Sequence, residues 1–127
     1  ICEEYPKQQV FMENMFDEAP DVLCGLAEEM KEYENFGICL DYGHGVVSDT
    51  PVSEWVNTLA PYVKHMHIND NDLKNDNHAA IGDGQIDWKK FSEEMKQIPM
   101  DATVLIEVNG IEKQKRSLEY LKKNSIF

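Results

Sequence analysis

The sequence predicts an α/β protein in which four parallel strands alternate with helices. Four short segments are rich in β-branched, aromatic and other apolar residues, as strands are; they are QQVFMEN (8–14), FGICLD (36–41), VKHMHIN (63–69) and TVLIEV (103–108). A stripe of apolar residues at helical spacing follows the first segment. Strands that alternate with helices pair in parallel through right-handed crossovers, so we expect one parallel sheet.

Helices are predicted after each strand. The first has apolar residues at positions 22, 23, 26, 27 and 30, and Pro20 suits a helix start. The segment YGHGVVSDT (42–50) is predicted to be a loop, with Thr50 as the N-cap of the next helix. The predicted helical ranges are Pro20–Tyr33, Pro51–Pro61, Asp87–Gln97 and Glu112–Lys123.

The ends of the four strands share one chemical feature, because each carries a potential metal ligand. These residues are Glu13, Asp41, His67 and Glu107. Side chains alternate along a strand, so all four can point to the same face of the sheet. The opposite face is then wholly apolar and is expected to pack against helices. Its residues are Val10, Met12, Ile38, Leu40, Met66, Ile68, Val104 and Ile106.

The face with the ligands is mixed in character, as the interior of a barrel is. The carboxyl ends of the strands are where (β/α)8 barrels keep their active sites. A doubly wound sheet also binds ligands at those ends. It would, however, scatter the four side chains along an open edge, so their convergence favours a barrel.

Three carboxylates and one imidazole make a ligand set for one divalent cation. Oxygen donors suit Mg²⁺ or Mn²⁺, and the imidazole also admits Co²⁺ or Zn²⁺. Taken singly, Glu13 and Glu107 are more simply strand-end charges in water, and Asp41 could be the N-cap of a turn. Their shared register favours a metal site, because independent surface charges need not lie on one face.

Three further residues form a second candidate group. His44 follows Asp41 in a D-x-x-H pattern, and two glycines permit a turn that returns it over the strand end. Asp76 and His78 form a D-x-H pattern in the long polar loop 70–85, which could chelate a second ion or contact substrate. The alternative is a solvated polar loop, and spacing alone does not choose between the two.

Other residues near the predicted site carry weaker signals. His65 shares a face with His67 but lies one layer deeper, so we expect a hydrogen-bonded interior histidine rather than a ligand. Gly82 and Gly84 could offer backbone N–H groups to a phosphate. Aromatic side chains could line a sugar pocket, although tryptophans more simply pack helices onto a sheet; they are Tyr42, Trp55 and Trp88.

Composition narrows the range of partners. The formal net charge is −12 and Arg116 is the only arginine, whereas proteins that hold nucleic-acid phosphates use basic stripes and arginine forks. The same acidity disfavours an anionic membrane surface, and no apolar run is long enough to span a bilayer. Cys2, Cys24 and Cys39 are odd in number and lack zinc-site spacing, which favours reduced thiols in a cytoplasmic protein.

Four segments, in order, resemble the xylose isomerase-like TIM-barrel superfamily: GICLDYGH, HMHINDN, DNHAAIGDGQIDW and LIEV. That superfamily includes sugar and sugar-phosphate isomerases and epimerases, inosose dehydratase-like enzymes, and AP endonuclease family 2 proteins of the endonuclease IV type. The resemblance implies that the four strand-end residues hold one divalent ion. It also implies that His44 contacts substrate or, as in the endonuclease IV-type members, that His44, Asp76 and His78 hold additional Zn²⁺.

The resemblance covers nearly the whole chain but only half of a barrel. A barrel of this family has eight strands, and the four strands here look like the fifth to the eighth. We therefore expect residues 1–127 to form a single domain that is an incomplete barrel. Exposed sheet edges would then favour self-association or pairing with an N-terminal half.

Three hypotheses of function follow. The first is a metal-dependent isomerase or epimerase of small sugars or sugar phosphates, with Glu13 and Glu107 transferring protons through a metal-stabilised enediolate. The second is an endonuclease IV-type zinc phosphodiesterase, which the net charge disfavours. The third is a non-catalytic half-barrel that serves binding or assembly.

Overall fold

Four parallel strands form one sheet in the order β1-β2-β3-β4, in a computed structural model that describes residues 1–15 and 17–127. The strands are β1 (Val10–Glu13), β2 (Phe36–Asp41), β3 (Val63–Ile68) and β4 (Thr103–Ile106). Every pair of neighbours is parallel. The predicted α/β class and parallel sheet are therefore confirmed, and consecutive strands lie side by side as they do in half of a barrel.

Five α-helices accompany the strands in the described part of the chain. They are α1 (Asp21–Glu29), α2 (Tyr42–Val47), α3 (Val52–Leu59), α4 (Trp88–Glu94) and α5 (Ile111–Lys123). The start of α4 is fixed by Asp87, whose carboxylate accepts hydrogen bonds from the N–H groups of Lys89 and Lys90, each at 3.0 Å. No helix among the described residues combines the length and the apolarity that crossing a membrane requires.

The core lies between the two inner strands and the helices that cover them. Ile38 and Leu40 of β2, and Met66 and Ile68 of β3, are at most 1% exposed. Trp55 of α3 and Trp88 of α4 are buried as well, so the tryptophans pack helices onto the sheet as expected. Tyr42 does not line a pocket as we considered, because it is buried and its hydroxyl donates to Glu94 Oε2 at 2.7 Å.

The apolar face is not covered along its whole width, which corrects the expectation from strand alternation. Met12 on β1 is 46% exposed and Val104 on β4 is 40% exposed. The helices contact the inner strands, with α1 and α3 against β2 and α2 against β3. The outer strands have a neighbour on one side only, so part of their apolar surface stays in contact with solvent.

The segment predicted to be a loop after β2 forms α2 instead. Asp41 caps it, because its Oδ1 accepts a hydrogen bond from the His44 N–H at 2.8 Å. A Cβ at Gly45 would lie 3.2 Å from a methyl group of Val52, so glycine lets α2 approach α3 closely. This packing overrides the low helix propensity of glycine.

The predicted cap of the following helix is also wrong. Thr50 does not cap α3; its hydroxyl instead donates to the carbonyl oxygen of Glu18 at 2.7 Å. Pro51 occupies the N-cap position and makes no side-chain cap bond. The Thr50 hydroxyl thus bonds to a residue 32 positions away in the chain instead of capping the helix that follows it.

The strand register brings the strand ends together along a diagonal. Glu13 is level with Cys39, whereas Asp41 is level with His67. The backbone N–H of Glu107 extends the ladder beyond β4 by donating to the Ile68 carbonyl at 2.9 Å. Each successive ligand position is thus level with or beyond the previous one, as tilted barrel strands require.

Candidate metal centre

The four strand-end residues predicted as ligands converge in space. One ligand atom of each lies within 4.8 Å of the others, and the four residues are Glu13, Asp41, His67 and Glu107. Each comes from a different strand end, so the convergence is a product of the register and not of sequence proximity. A cluster of this size and composition can surround a single divalent ion.

The His67 ring lies at the centre of the cluster. Its Nδ1 atom is 3.1 Å from Glu107 Oε2, 3.4 Å from Glu13 Oε1 and 3.8 Å from Asp41 Oδ2. Despite these short distances, none of the contacts has the geometry of a hydrogen bond, and Nδ1 is buried without a partner in the described part of the chain. This ring nitrogen is therefore the atom of His67 that a cation in the cluster would contact.

Asp41 offers a second buried atom with the same property. One carboxylate oxygen caps α2, and the other, Oδ2, is buried without a hydrogen-bond partner among residues 1–15 and 17–127. Asp41 is thus the cap that one sequence interpretation predicted, and its second oxygen is free of hydrogen bonds within those ranges, as the other interpretation would need. Buried polar atoms left unpaired cost free energy, and a cation between Asp41 and His67 would satisfy both, so these residues fit a metal.

Burial and repulsion within the cluster change the protonation of its members. Burial raises the pKa of Asp41 to about 6, and Asp76 and Glu13 contribute in the same direction. Burial likewise raises the pKa of the Cys39 thiol to about 12, helped by Glu13, Asp41 and Glu107. Negative charge on these buried groups is therefore unfavourable, and a bound cation would stabilise it.

Asn14 fastens β1 to β2 beside the cluster and is a residue that the sequence interpretation missed. Its Nδ2 donates to the Asp41 carbonyl at 2.9 Å, and its Oδ1 accepts from the Asp41 N–H at 2.8 Å. This pair of bonds holds the carboxyl ends of two strands in place. The only sequence signal was an asparagine directly after a predicted ligand, which by itself indicates nothing about a partner 27 residues away.

The second candidate group also comes together. Asp76 Oδ2 lies 3.2 Å from His44 Nε2 and 2.7 Å from His78 Nε2. The other ring nitrogens face backbone carbonyls, with His44 Nδ1 at 2.8 Å from Asn14 O and His78 Nδ1 at 2.9 Å from Glu107 O. The group therefore joins α2 to the long polar loop, and its two histidines also contact the backbone after β1 and β4.

The charges of His44, Asp76 and His78 explain how this second group is held together. Burial lowers the pKa of His44, but Asp41, the Asn14 carbonyl and Asp76 outweigh it and the net shift is upward. The pKa of His78 is raised in the same way, against burial, by the Glu107 carbonyl and Asp76. Asp76 Oδ1 is buried and makes no hydrogen bond within the described ranges, so one atom stays available to another ligand.

The glycine pair expected to offer backbone donors to a phosphate serves an internal carboxylate instead. Asp70, 1% exposed, accepts from the N–H groups of Gly82 at 2.8 Å and Ile86 at 3.1 Å, and from Trp88 Nε1 at 2.8 Å. A Cβ at Gly84 would lie 2.2 Å from Asp70 Oδ1. The loop is thus wrapped around Asp70.

His65 lies one layer deeper than His67, as expected. Its Nδ1 is 2.6 Å from Thr103 Oγ1, and its ring stacks on Phe11 with centroids 5.4 Å apart. The His67 ring meets it edge-on at 5.1 Å. It is therefore hydrogen-bonded, as the sequence predicted, although this contact lies at an exposed part of the sheet face.

A parallel sheet with a carboxylate–histidine cluster at the carboxyl ends of its strands defines an α/β half-barrel with a candidate metal centre. Comparison with known families agrees, because the profile of the xylose isomerase-like TIM barrel matches residues 2–124. The chain belongs to this family.

Two solved structures resemble the chain over 96% of its length. A D-tagatose 3-epimerase-like protein superposes with a TM-score of 0.75 at 28% identity, and 49% of that protein is covered. The TTHB071 protein from Thermus thermophilus, from a crystal soaked with ZnCl2, superposes with a TM-score of 0.73 at 23% identity over 47% of its length. At 23% identity the similarity shows the fold alone.

Two curated relatives come from Methanocaldococcus jannaschii. The uncharacterized protein MJ1311 is 30% identical over 105 residues, which are 81% of this chain and 36% of that protein. The uncharacterized protein MJ1614 is 29% identical over 105 residues, which are 80% of this chain and 39% of that protein. The chain thus spans little more than a third of these curated relatives and about half of the two solved structures.

Proposed function

We propose that the chain provides the catalytic metal centre of a sugar or sugar-phosphate isomerase or epimerase. One observation carries the proposal: four ligand atoms from four strand ends lie within 4.8 Å of one another. Two of these residues, Asp41 and His67, have a buried atom without a hydrogen-bond partner in the part of the chain that the structure describes. The family and the similarity to a D-tagatose 3-epimerase-like protein support the same class of reaction.

The proposed ion is a single Mn²⁺, Mg²⁺, Co²⁺ or Zn²⁺ held by the four strand-end residues. When bound, it supplies a Lewis acid that stabilises the negative charge of an enediolate. His67 contributes one nitrogen and the carboxylates contribute oxygen, which is a mixed set that admits both hard and borderline cations.

Exposure separates the roles of the ligands. The Asp41 side chain is 0% exposed, whereas those of Glu13 and Glu107 are 28% and 37% exposed. A group that moves a proton must reach the substrate, so the two glutamates are the acid–base pair and Asp41 only binds the ion. One glutamate removes the proton α to the carbonyl, and the other returns a proton on the opposite side or to the neighbouring carbon.

His44 is proposed to orient a substrate hydroxyl. It is 13% exposed and lies 3.5 Å from Glu13 Oε1, between the cluster and a cleft of about 650 Å³. The cleft is also lined by Met15, Asp17, Glu18, Val47, Ser48 and Asp49. Neither Glu13 nor Glu107 lines this cleft, so it reaches the cluster only through His44. Its size suits a small polar substrate.

Charge favours an uncharged sugar over a sugar phosphate. Asp17, Glu18 and Asp49 line the cleft, so a phosphate there would meet like charges in addition to those of the metal centre. Two backbone donors in or near the glycine pair, the N–H groups of Gly82 and Ile86, already donate to Asp70. We therefore expect free ketoses to be better substrates than their phosphates.

Exchange of solvent deuterium tests the proposal. The Mn²⁺-loaded chain is expected to introduce deuterium at the carbon next to the carbonyl of a ketose, as measured by NMR. Glu107→Gln is expected to reduce this rate by about 10²–10⁴-fold, the usual contribution of general acid–base catalysis. Glu112→Gln, on the exposed first turn of α5, is the matched control and should keep the rate. A chain that binds Mn²⁺ but exchanges no ketose in a broad panel would overturn the proposal.

A second candidate function rests on the group of His44, Asp76 and His78. Their ligand atoms lie within 4.8 Å of one another, which would suit an additional Zn²⁺ and an endonuclease IV-type phosphodiesterase. The net charge of −12 opposes a nucleic-acid partner. Incision of a duplex with an abasic site by the Zn²⁺-loaded protein would reverse this order of preference.

We also propose that another barrel half covers the outer strands, supplied by a second copy of this chain or by an N-terminal half. Met12, Val104 and Leu105 on these strands are 40–46% exposed, and exposed edges favour pairing.

The assignment of residues 1–127 to one domain with strands five to eight stays a prediction, and so does a cytoplasmic location. Light scattering measures the mass in solution, and a metal-free monomer would favour a non-catalytic assembly domain.

A further inference from the structure

We propose that Cys39, His65 and His67 form a separate site for a soft divalent cation, such as Cd²⁺ or Zn²⁺. One ligand atom of each residue lies within 4.8 Å of the other two. The group lies on the ligand-bearing face of the sheet, below the carboxylate cluster. It shares only His67 with that cluster.

The strand register builds this site directly. His65 and His67 are two residues apart on β3, so their side chains emerge on the same face. Cys39 on β2 is the register partner of His65, and its side chain emerges on that face as well. Two histidines of one strand and a thiol of the next therefore form a triangle, and the fourth tetrahedral position is left to water.

The ligand chemistry differs from that of the carboxylate cluster. A thiolate and two imidazoles prefer soft or borderline cations, whereas carboxylate oxygens prefer Mg²⁺ or Mn²⁺. Cys39 is 3% exposed, so its sulfur is shielded from bulk solvent. When the metal–sulfur bond forms, the thiol proton passes to solvent.

The contacts of His65 fix its ring in an orientation that suits a metal ligand. Its Nδ1 faces Thr103 Oγ1 at 2.6 Å, and the ring is stacked on Phe11 at an interplanar angle of 13°. A hydrogen bond at one ring nitrogen fixes the orientation of a histidine and leaves the other nitrogen to bind metal. The hydrogen bond to Thr103 and a role of His65 as a soft ligand are therefore compatible, which departs from the expectation that it is not a ligand.

Sharing of His67 links the two sites. A soft cation bound to Cys39 competes for the imidazole that the carboxylate cluster needs. Occupancy of the soft site is therefore expected to weaken Mn²⁺ binding above it. This linkage rests on the proposed metal centre, whereas the soft site stands on its own geometry.

Cadmium titration of the whole chain tests the site. With a phosphine reductant present, Cd²⁺ should produce the ultraviolet charge-transfer band of a cadmium–thiolate bond, saturating at one ion per chain. Cys39→Ser is expected to abolish the band, and His65→Asn to weaken Cd²⁺ binding by about 10-fold or more. Cys24→Ser, a change at a half-buried cysteine of α1, is the matched control and should keep the band.

Two outcomes overturn the proposal: a wild-type chain without the band, or a band that survives in Cys39→Ser. If that variant fails to fold by circular dichroism, cadmium NMR of the wild type decides, since a thiolate ligand shifts the resonance strongly from that of an all-oxygen site. Mn²⁺ binding by electron paramagnetic resonance is measured in parallel. Mn²⁺ binding without the cadmium band removes the soft site alone, and the band without Mn²⁺ binding removes the proposed function alone.

Discussion

The two inner strands and the two outer strands of the sheet differ in how far they are covered. Along β2 all six residues are buried, and the helices pack against these inner strands. Along β1 and β4 no residue within the strand bounds is buried. The centre of the sheet is therefore a protein core, and its outer strands resemble a surface.

The proposed metal centre draws on strands of both kinds. Its less exposed side chains, Asp41 at 0% and His67 at 16%, come from β2 and β3, and its more exposed glutamates, Glu13 at 28% and Glu107 at 37%, come from the ends of β1 and β4. Rigid surroundings suit a ligand that must hold an ion in place. Exposed carboxylates suit proton transfer, because they can reach a substrate. In the proposed site, the contrast between strands therefore becomes a division of roles.

Alanine substitutions at two register partners, one on an inner and one on an outer strand, should test the difference in coverage most directly. Ile38 is 0% exposed and its partner Met12 is 46% exposed, on the same face of the sheet. Ile38→Ala should lower the free energy of unfolding by about 2–5 kcal/mol, because it leaves a cavity. Met12→Ala should cost less than about 1 kcal/mol. Urea denaturation measures both, and equal losses would mean that the outer strands are covered in solution.

A second pair compares an inner with an outer ligand. Asp41→Asn keeps an oxygen that can cap α2 but removes the buried charge, so Mn²⁺ affinity should fall by about 10–100-fold. Glu13→Gln should weaken binding less and reduce deuterium exchange more, because Glu13 is the more exposed group. Calorimetric titration and the exchange assay separate the two effects. Equal losses of affinity and exchange in both variants would contradict the division of roles.

The sequence was most informative where neighbouring residues determine structure. The range predicted for β2 is the range observed, because an apolar run flanked by turn residues needs no distant partner to be recognised. The four candidate ligands were recognised from their position at the strand ends and from alternation, and parallel register then converts that position into proximity. Their meeting in space required only that the strands lie side by side.

Features that depend on distant contacts could not be predicted. Helix α2 contains two glycines, and its stability comes from packing on α3 and the cap of Asp41. The bonds to Asp70 from Gly82, Ile86 and Trp88 join positions 12–18 residues apart, and they occupy one of the two glycine donors that the sequence offered to a phosphate. The exposed Met12 and Val104 show the same limit, since alternation gives the face but not whether a helix covers it.

The pH dependence of stability should distinguish the inner from the outer strands further, because Asp41 at the end of β2 is a buried carboxylate. Burial raises the pKa of Asp41 from 3.8 to about 6, so between these values the folded chain binds more protons than the unfolded chain. Stability falls with rising pH wherever the folded state holds more protons. The free energy of unfolding of the metal-free chain should therefore decrease from about pH 4 to about pH 6 and then stop decreasing on this account.

The Asp41 contribution is isolated by comparing the wild type with Asp41→Asn in the presence of a chelator. Each unit of pKa shift corresponds to about 1.4 kcal/mol, so the difference should change by on the order of 2 kcal/mol across that range. Glu32→Gln, at an exposed position, should leave the pH profile as it is. Mn²⁺ at about pH 7 should restore stability to the wild type more than to Asp41→Asn, because it binds the folded state. If the difference in free energy of unfolding between the two chains does not vary between about pH 4 and about pH 6, burial does not raise the pKa of Asp41. The electrostatic argument for a cation beside Asp41 would then be lost.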